Sequence, residues 1–343
     1  MMINTVLSGN RFMALLIATC GMILILSGCT GLSQIQSVNY NSRVSIIVIH
    51  FTSGNYQGSL NALTQASCRP VSSHYLIAEP LDASYGKPEA STYQLVAESD
   101  RAWHAGVSSW AGKTGLNDQS IGIELVNQGY CHTMGSNAYL QRNKTPVYKN
   151  PENGFDPDNC PKPVPAPVTD APEEKPEKLC FYPDFDEGQL ELLVELLAEI
   201  LARHPEIKPT HIIGHSDIAP DRKVDPGPRF PWQRLARLGY GAWYDDATMI
   251  RYWERFVREP LDVATVQKAL AAYGYGITPT GELDEPTRNV LRAFQMHFWP
   301  HEVTMDITPA SNAALFALIE KYYPERLTEL LPADTTPTPQ DDG

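Results

Sequence analysis

The chain has 343 residues, 43% of them hydrophobic, and a formal net charge of −13. That length allows one sizeable domain with a smaller one beside it. The acidic balance excludes a nucleic-acid binder, which needs a basic footprint, and no internal repeat is apparent.

The first residues are not part of a fold. Arg11 precedes an apolar run from Phe12 to Leu26, which leads into Leu26-Ser27-Gly28-Cys29. The run is too short to span a bilayer and reads as a secretory signal. The tetrapeptide resembles a bacterial lipobox, so residues 1–28 are expected to be a lipoprotein signal peptide and residues 29–43 a tether lipidated at Cys29. Thr30 stands where an aspartate would mark inner-membrane retention. The resemblance therefore implies an outer-membrane lipoprotein facing the periplasm, held by more than one acyl chain. Cys68, Cys131, Cys160 and Cys180 remain in the mature chain. None forms a C-x-x-C pair, so one or two disulfides are expected, with three connectivities open.

Val44 to Ile49 is a nearly continuous β-branched run ending at His50. Such a run suits a strand buried on both faces, and ligand crevices of α/β sheets lie at that carboxyl end. Ser59 to Thr64 is compatible with a helix, and Val71 to Ile77 and Thr92 to Val96 read as strands. In a further strand, Ser120 to Val126, the side chains of Gly122, Glu124 and Val126 share one face. Glu124 is there either solvent-facing or a buried functional carboxylate. Residues 129–186 are proline-rich, charged and without period, and read as a surface insertion. Asp186 with Gln189 forms a capping box that opens a helix to Arg203. Leu190, Leu193, Val194, Leu197 and Leu201 make its apolar stripe. Thr210 to Gly214 is a short strand that delivers His215. His211, four residues earlier, lacks the glutamate of a helix-borne zinc motif and is read as structural.

The stretch Gly214 to Pro228 then offers His215, Lys223 and Asp225 close together. With His50 they suggest a catalytic zinc site, two imidazoles and one carboxylate around an open position. Such a metal lowers the pKa of a water and polarises a carbonyl. Glu124 could carry the proton, and Lys223 could stabilise an oxyanion. Asp217 and Asp221 could also ligate, but a tight helical turn would use them as caps.

Five ordered motifs, the last at the head of that stretch, run along the chain: Val48-Ile49-His50-Phe51-Thr52, Ser72-Ser73-His74-Tyr75-Leu76, Ala102-Trp103-His104-Ala105-Gly106, Asn117 to Leu125, and Gly214 to Pro220. With Lys223-Val224-Asp225-Pro226-Gly227-Pro228 they resemble the zinc-dependent N-acetylmuramoyl-L-alanine amidases of the AmpD/AmiD type, which share the fold of peptidoglycan recognition proteins. The resemblance covers Val44 to Trp243. It implies an α/β domain over 44–243, a mixed central β-sheet flanked by helices. One zinc ion would be held by His50, His215 and Asp225. Glu124 becomes the general base and Lys223 the oxyanion stabiliser. His104 and Trp103 would line the substrate cleft, and His74 would be structural. The implied reaction is hydrolysis of the amide between the muramyl lactyl group and L-alanine in peptidoglycan or its fragments. The rival readings are a peptidoglycan recognition protein without turnover and a zinc peptidase acting within the stem peptide. The implied partners are peptidoglycan, its muropeptides, and a membrane reached through the N-terminal lipid.

Residues 244–260 read as a connector and 261–323 as a small three-helix domain. Val263, Val266, Leu270 and Tyr273 stripe its first helix. Asp284 caps the second, with Pro286 in its first turn and Thr287, Val290, Leu291 and Phe294 facing inward. Ser311 is expected to open the third, through Tyr322. The spacing Val266-Gln267…Leu270…Gly281-Glu282-Leu283-Asp284…Thr287…Phe294-Gln295 resembles a peptidoglycan-binding domain. It is either a wall anchor that raises effective substrate concentration or a packing domain that has kept its core. Residues 324–343 read as a largely disordered tail.

Overall fold

The structure, a computed structural model, describes residues 37–39, 41–133 and 178–331. The signal segment, most of the tether and of the 129–186 insertion, and the chain beyond residue 331 lie outside the described residues. In chain order the strands are β1 (Ile46–Phe51), β2 (Tyr75–Ile77), β3 (Thr92–Gln94), β4 (Ser109–Trp110), β5 (Lys113–Thr114), β6 (Ser120–Leu125), β7 (Tyr130–Thr133), β8 (Lys178–Phe181) and β9 (Ile212–Gly214). The helices are α1 (Tyr56–Thr64), α2 (Glu187–Arg203), α3 (His215–Ile218), α4 (Trp232–Arg237), α5 (Asp246–Arg258), α6 (Val263–Tyr273), α7 (Glu285–Phe298), α8 (Pro309–Tyr322) and α9 (Leu327–Leu330).

The sheet order is β3-β2-β6-β1-β9, with β3 antiparallel to β2 and the other pairs parallel. The fold is the expected mixed sheet flanked by helices. β1 is paired on both sides and all six of its residues are buried, the place for a β-branched run. One face of the sheet, with Ile47, Ile49, Ile121, Ile123 and Leu125, packs on Leu190, Leu193, Leu196, Leu197 and Ile200 of α2. The capping box is present: Asp186 accepts from the Gly188 and Gln189 amides, and Gln189 Oε1 accepts from the Asp186 N–H. Gln189 Nε2 also donates to the Ile77 and Val126 carbonyls, tying the start of α2 to the carboxyl ends of β2 and β6.

The other face is covered by the C-terminal helices, so the helical region expected over 261–323 packs directly on the sheet. Ile46 and Val48 share one apolar cluster with Trp110, Leu116, Ile213 and Ile218, and with buried residues of α5 to α8. Trp110 is fully buried, donates from Nε1 to the Thr210 carbonyl at 3.1 Å, and meets Tyr273 and Tyr275 edge-on. The described residues from Ser42 onward belong to one compact unit. Residues 244–260 are mostly the helix α5. Its Met249, Tyr252 and Phe256 are buried, with Tyr252 and Phe256 against Phe316. Met249, Tyr252 and Phe256 fall at helical spacing in the sequence. Pro324–Leu330, placed in the tail, is a turn followed by α9.

The three predicted helices are α6, α7 and α8, and Asp284 caps α7. α8 is opened by Thr308, with Pro309 next and Ser311 closing a capping box, rather than by Ser311 itself. A structural repeat joins them. Gln267 Oε1 accepts from the Gly281 amide, and its Nε2 donates to Thr280 Oγ1 and the Glu282 carbonyl. Gln295 treats Met305, Thr304 and Asp306 in the same way. Both glutamines are fully buried. The motif that suggested glycan binding is therefore in large part a device that closes two successive interhelical loops.

The insertion, expected to lack strands, is rooted in a ribbon. β7 and β8 pair antiparallel with Cys131 opposite Cys180, and these two cysteines form a disulfide. Cys68 is also disulfide-bonded.

Candidate active site

The parallel register of β1 and β6 sets His50 directly beside Glu124, so both side chains leave the same face at the carboxyl end of the sheet. β9 runs along the other edge of β1 and passes into α3, whose first residue is His215. The loop after α3 returns Asp225 to the same point, where the Ser216 N–H donates to the Asp225 carbonyl at 2.8 Å. His50 Nδ1 lies 2.9 Å from His215 Nδ1 and 3.2 Å from Asp225 Oδ2, and His215 Nδ1 lies 3.0 Å from that oxygen. All three residues are buried, and together they form a group able to hold a metal ion. Two imidazole nitrogens and one carboxylate oxygen are the donor set of a hydrolytic zinc site. Burial and the neighbouring His215 lower the His50 pKa to about 4, which keeps its imidazole neutral and ready to ligate. Burial pushes the Asp225 carboxyl up, but His215 and His50 outweigh it and hold the group well below the usual carboxylate range.

Glu124 Oε1 stands 4.0 Å from His50 Nδ1, and its side chain is 13% exposed. Oε2 is buried with no hydrogen-bond partner in the protein. Burial, then the Asp225 charge, raise its pKa to about 8, opposed by Lys223. A carboxyl tuned towards neutrality next to a group of metal donors is equipped to move a proton. The solvent-facing reading of Glu124 is thereby set aside. Lys223 is half-buried, its amide bound to the Ala219 carbonyl at 3.0 Å, and its charge acts on both His50 and Glu124.

His104 is not a cleft residue. It is 8% exposed and its Nδ1 faces His50 Nε2 at 2.9 Å, while its Nε2 faces Ser120 Oγ at 3.1 Å. Ser120 Oγ in turn donates to the Leu116 carbonyl, so the serine can accept only from the histidine. The chain of donors runs His50 Nε2–H to His104, His104 Nε2–H to Ser120, and Ser120 O–H to Leu116. That direction places the His50 proton on Nε2 and leaves Nδ1 free as a ligand. The next residue serves the other imidazole: His215 Nε2 donates to the Ala105 carbonyl at 3.3 Å, and Arg222 fixes that carbonyl from the far side. Asn117 Oδ1 accepts from the amides of both His104 and Ala105 and holds the loop. Gly122 is required beneath it, because a Cβ there would come within 2.4 Å of the His104 ring. His74 is structural, as expected, with Nδ1 accepting from the Gly122 amide. Trp103 is 47% exposed, bound through its backbone to Ser72 and free to face a ligand.

A family model described as N-acetylmuramoyl-L-alanine amidase matches residues 40–228. The chain belongs to this amidase family. A second model, for a peptidoglycan-binding domain, matches residues 260–304. The chain is 35% identical to N-acetylmuramoyl-L-alanine amidase AmiD of Escherichia coli K12 over 313 residues, 87% of this chain and 95% of that protein. It is 30% identical to the 1,6-anhydro-N-acetylmuramyl-L-alanine amidase AmpD of Haemophilus influenzae, over 60% of this chain and 90% of that protein. Among solved structures, AmpDh3 of Pseudomonas aeruginosa matches with TM-score 0.67 and 37% identity, covering 84% of this chain and 96% of that one. E. coli AmiD, solved with anhydro-N-acetylmuramic acid-L-Ala-D-γ-Glu-L-Lys, matches with TM-score 0.63 and 33% identity, covering 84% and 93%. The amidase reading holds over a recognition protein without turnover and over a stem-peptide peptidase.

Proposed function

We propose that this amidase is zinc-dependent and cleaves the amide between the muramyl lactyl group and L-alanine in anhydro-muramyl peptides and related peptidoglycan fragments. The observation that supports this most is the convergence of His50 Nδ1, His215 Nδ1 and Asp225 Oδ2, with Glu124 beside them, on a chain of this family. Zinc bound there would polarise the scissile carbonyl and lower the pKa of a water. Glu124 takes the proton of the attacking water and delivers it to the L-alanine nitrogen as the C–N bond breaks. Lys223 offsets negative charge that develops on the carbonyl oxygen. Trp103 offers an apolar surface at the rim, and His104 acts behind His50. The substrate class is that named for the relatives solved in complex.

Incubating the purified, zinc-loaded protein with muropeptides and reading the products by mass spectrometry tests this. A new free L-alanine amine is expected; peptide-internal ends or intact material would refute it. We further propose that the chain is lipidated at Cys29 and faces the periplasm from the outer membrane, on the strength of Leu26-Ser27-Gly28-Cys29 and Thr30. Labelled palmitate should enter the parent and not Cys29→Ala. Among the described residues no helix is long and apolar enough to cross a membrane.

A further inference from the structure

The helical C-terminal region reaches the segment that bears two of the three metal donors. Asp217, in the single turn of α3, is 1% exposed. Its Oδ2 accepts from the Gly214 N–H at 2.8 Å and from His297 Nδ1 at 2.7 Å, and its Oδ1 accepts from the Tyr275 hydroxyl at 2.7 Å. The first bond is local and belongs to the expected capping role. The other two come from just after α6 and from the end of α7. His297 stacks on the Trp232 indole, with centroids 3.8 Å apart and planes at 17°. Trp232 in turn lies under Gly214, where a Cβ would meet it at 3.4 Å and Pro226 at 2.7 Å. Arg292 of α7 donates to the Pro220 carbonyl at 2.6 Å.

A four-residue helix has no cooperative stability of its own, so the direction of His215 has to be imposed from outside. Apolar packing would suffice to seal a domain against a sheet. A buried carboxylate with three converging donors is a directional device, and one that is costly when any donor is lost.

We propose that Tyr275 and His297, acting through Asp217, are positioning residues. They aim His215 Nδ1 and, through the Ser216–Asp225 backbone bond, set its distance from the Asp225 carboxylate. The C-terminal helices thereby complete the metal site, whether or not they also hold glycan. This rests on the reading of His215 as a metal ligand.

The test uses the full chain and three readouts: zinc affinity by chelator competition, the visible spectrum after cobalt substitution, and kcat and KM on a soluble muropeptide. Tyr275→Phe and His297→Leu should each weaken zinc binding roughly 10-fold and alter the cobalt bands, lowering kcat more than KM. His297→Asn, which keeps a donor near the Nδ1 position, should recover most of the affinity. Leu315→Ala, which opens a cavity in the apolar core of α8 and removes no hydrogen bond to Asp217, should lower Tm and leave zinc affinity and spectrum alone. If Tyr275→Phe and His297→Leu melt earlier yet bind zinc and cobalt as the parent does, the two residues merely pack and the proposal falls. A parent that binds no zinc, or a His215→Ala protein that binds it as well as the parent, would instead remove the ligand reading and the proposal with it.

Discussion

The two faces of the central sheet are covered by different means. α2 seals one face with a leucine stripe and a capping box, all within one short stretch of sequence. The opposite face carries the candidate metal donors at its carboxyl end and is closed by helices α5 to α8, which come from later in the chain. On the first face a helix mainly buries apolar area, with Gln189 as its polar tie to the strand ends. On the second the same physics has to be reconciled with buried imidazoles and carboxylates, and polar groups can be buried only with partners. That is why His104, Ser120, Asn117, Arg222, Tyr275 and His297 surround the site, whereas under α2 the polar ties centre on Gln189.

The contrast can be broken at several points. His215→Ala removes a donor from the site and should abolish both zinc binding, read by metal analysis after dialysis, and turnover. Glu124→Gln should keep the metal and lose roughly 10²–10⁴ in kcat; a protein with parental kcat would remove Glu124 as base. Leu197→Ala, on the α2 face, should cost about 2–5 kcal/mol of stability in denaturant titration with specific activity of the folded protein unchanged.

Glu124 also predicts a pH effect in the metal-free protein. Its folded pKa, about 8, lies above the ordinary 4.5. Between those values the folded state holds a proton that the unfolded state releases, so stability falls as pH rises from 4.5 towards 8. His50 acts in the opposite sense, because its folded pKa, about 4, lies below 6.5 and stability is lost as pH falls through that window. Glu124→Gln cannot release a proton. At pH 7 it should therefore stabilise the metal-free protein by on the order of 3 kcal/mol, and the advantage should vanish near pH 4.5. An advantage that does not change with pH would overturn the assignment. A smaller effect than loss of a donor is expected from His104→Ala, which removes the acceptor behind His50 and should weaken zinc roughly 10–100-fold, measured by chelator competition.

Much of the site was legible before the fold. His50 and His215 each end a short apolar strand, and the resemblance supplied Asp225, Glu124 and Lys223. Helix α5 and the role of His104 were not legible, for different reasons. Met249, Tyr252 and Phe256 had helical spacing, but the charged residues between them masked it. His104 carried no signal of its role, because its partners His50 and Ser120 are near only once β1 and β6 lie in register and Gly122 leaves room for the ring.

The sequence by itself determined which segments become strands and helices, since β-branched runs, capping boxes and leucine stripes act through neighbours a few residues apart. It also determined the kinds of donor available at the strand ends. Only the tertiary structure decided which face each stripe would cover, that His104 would orient His50 while Asp217 received Tyr275 and His297, and that the last helices would share a core with the sheet. A stripe records that a face must be buried but not against what; a polar side chain records a need for a partner but not its address. Those choices are settled by long-range packing, in which apolar area and hydrogen bonds have to be satisfied together.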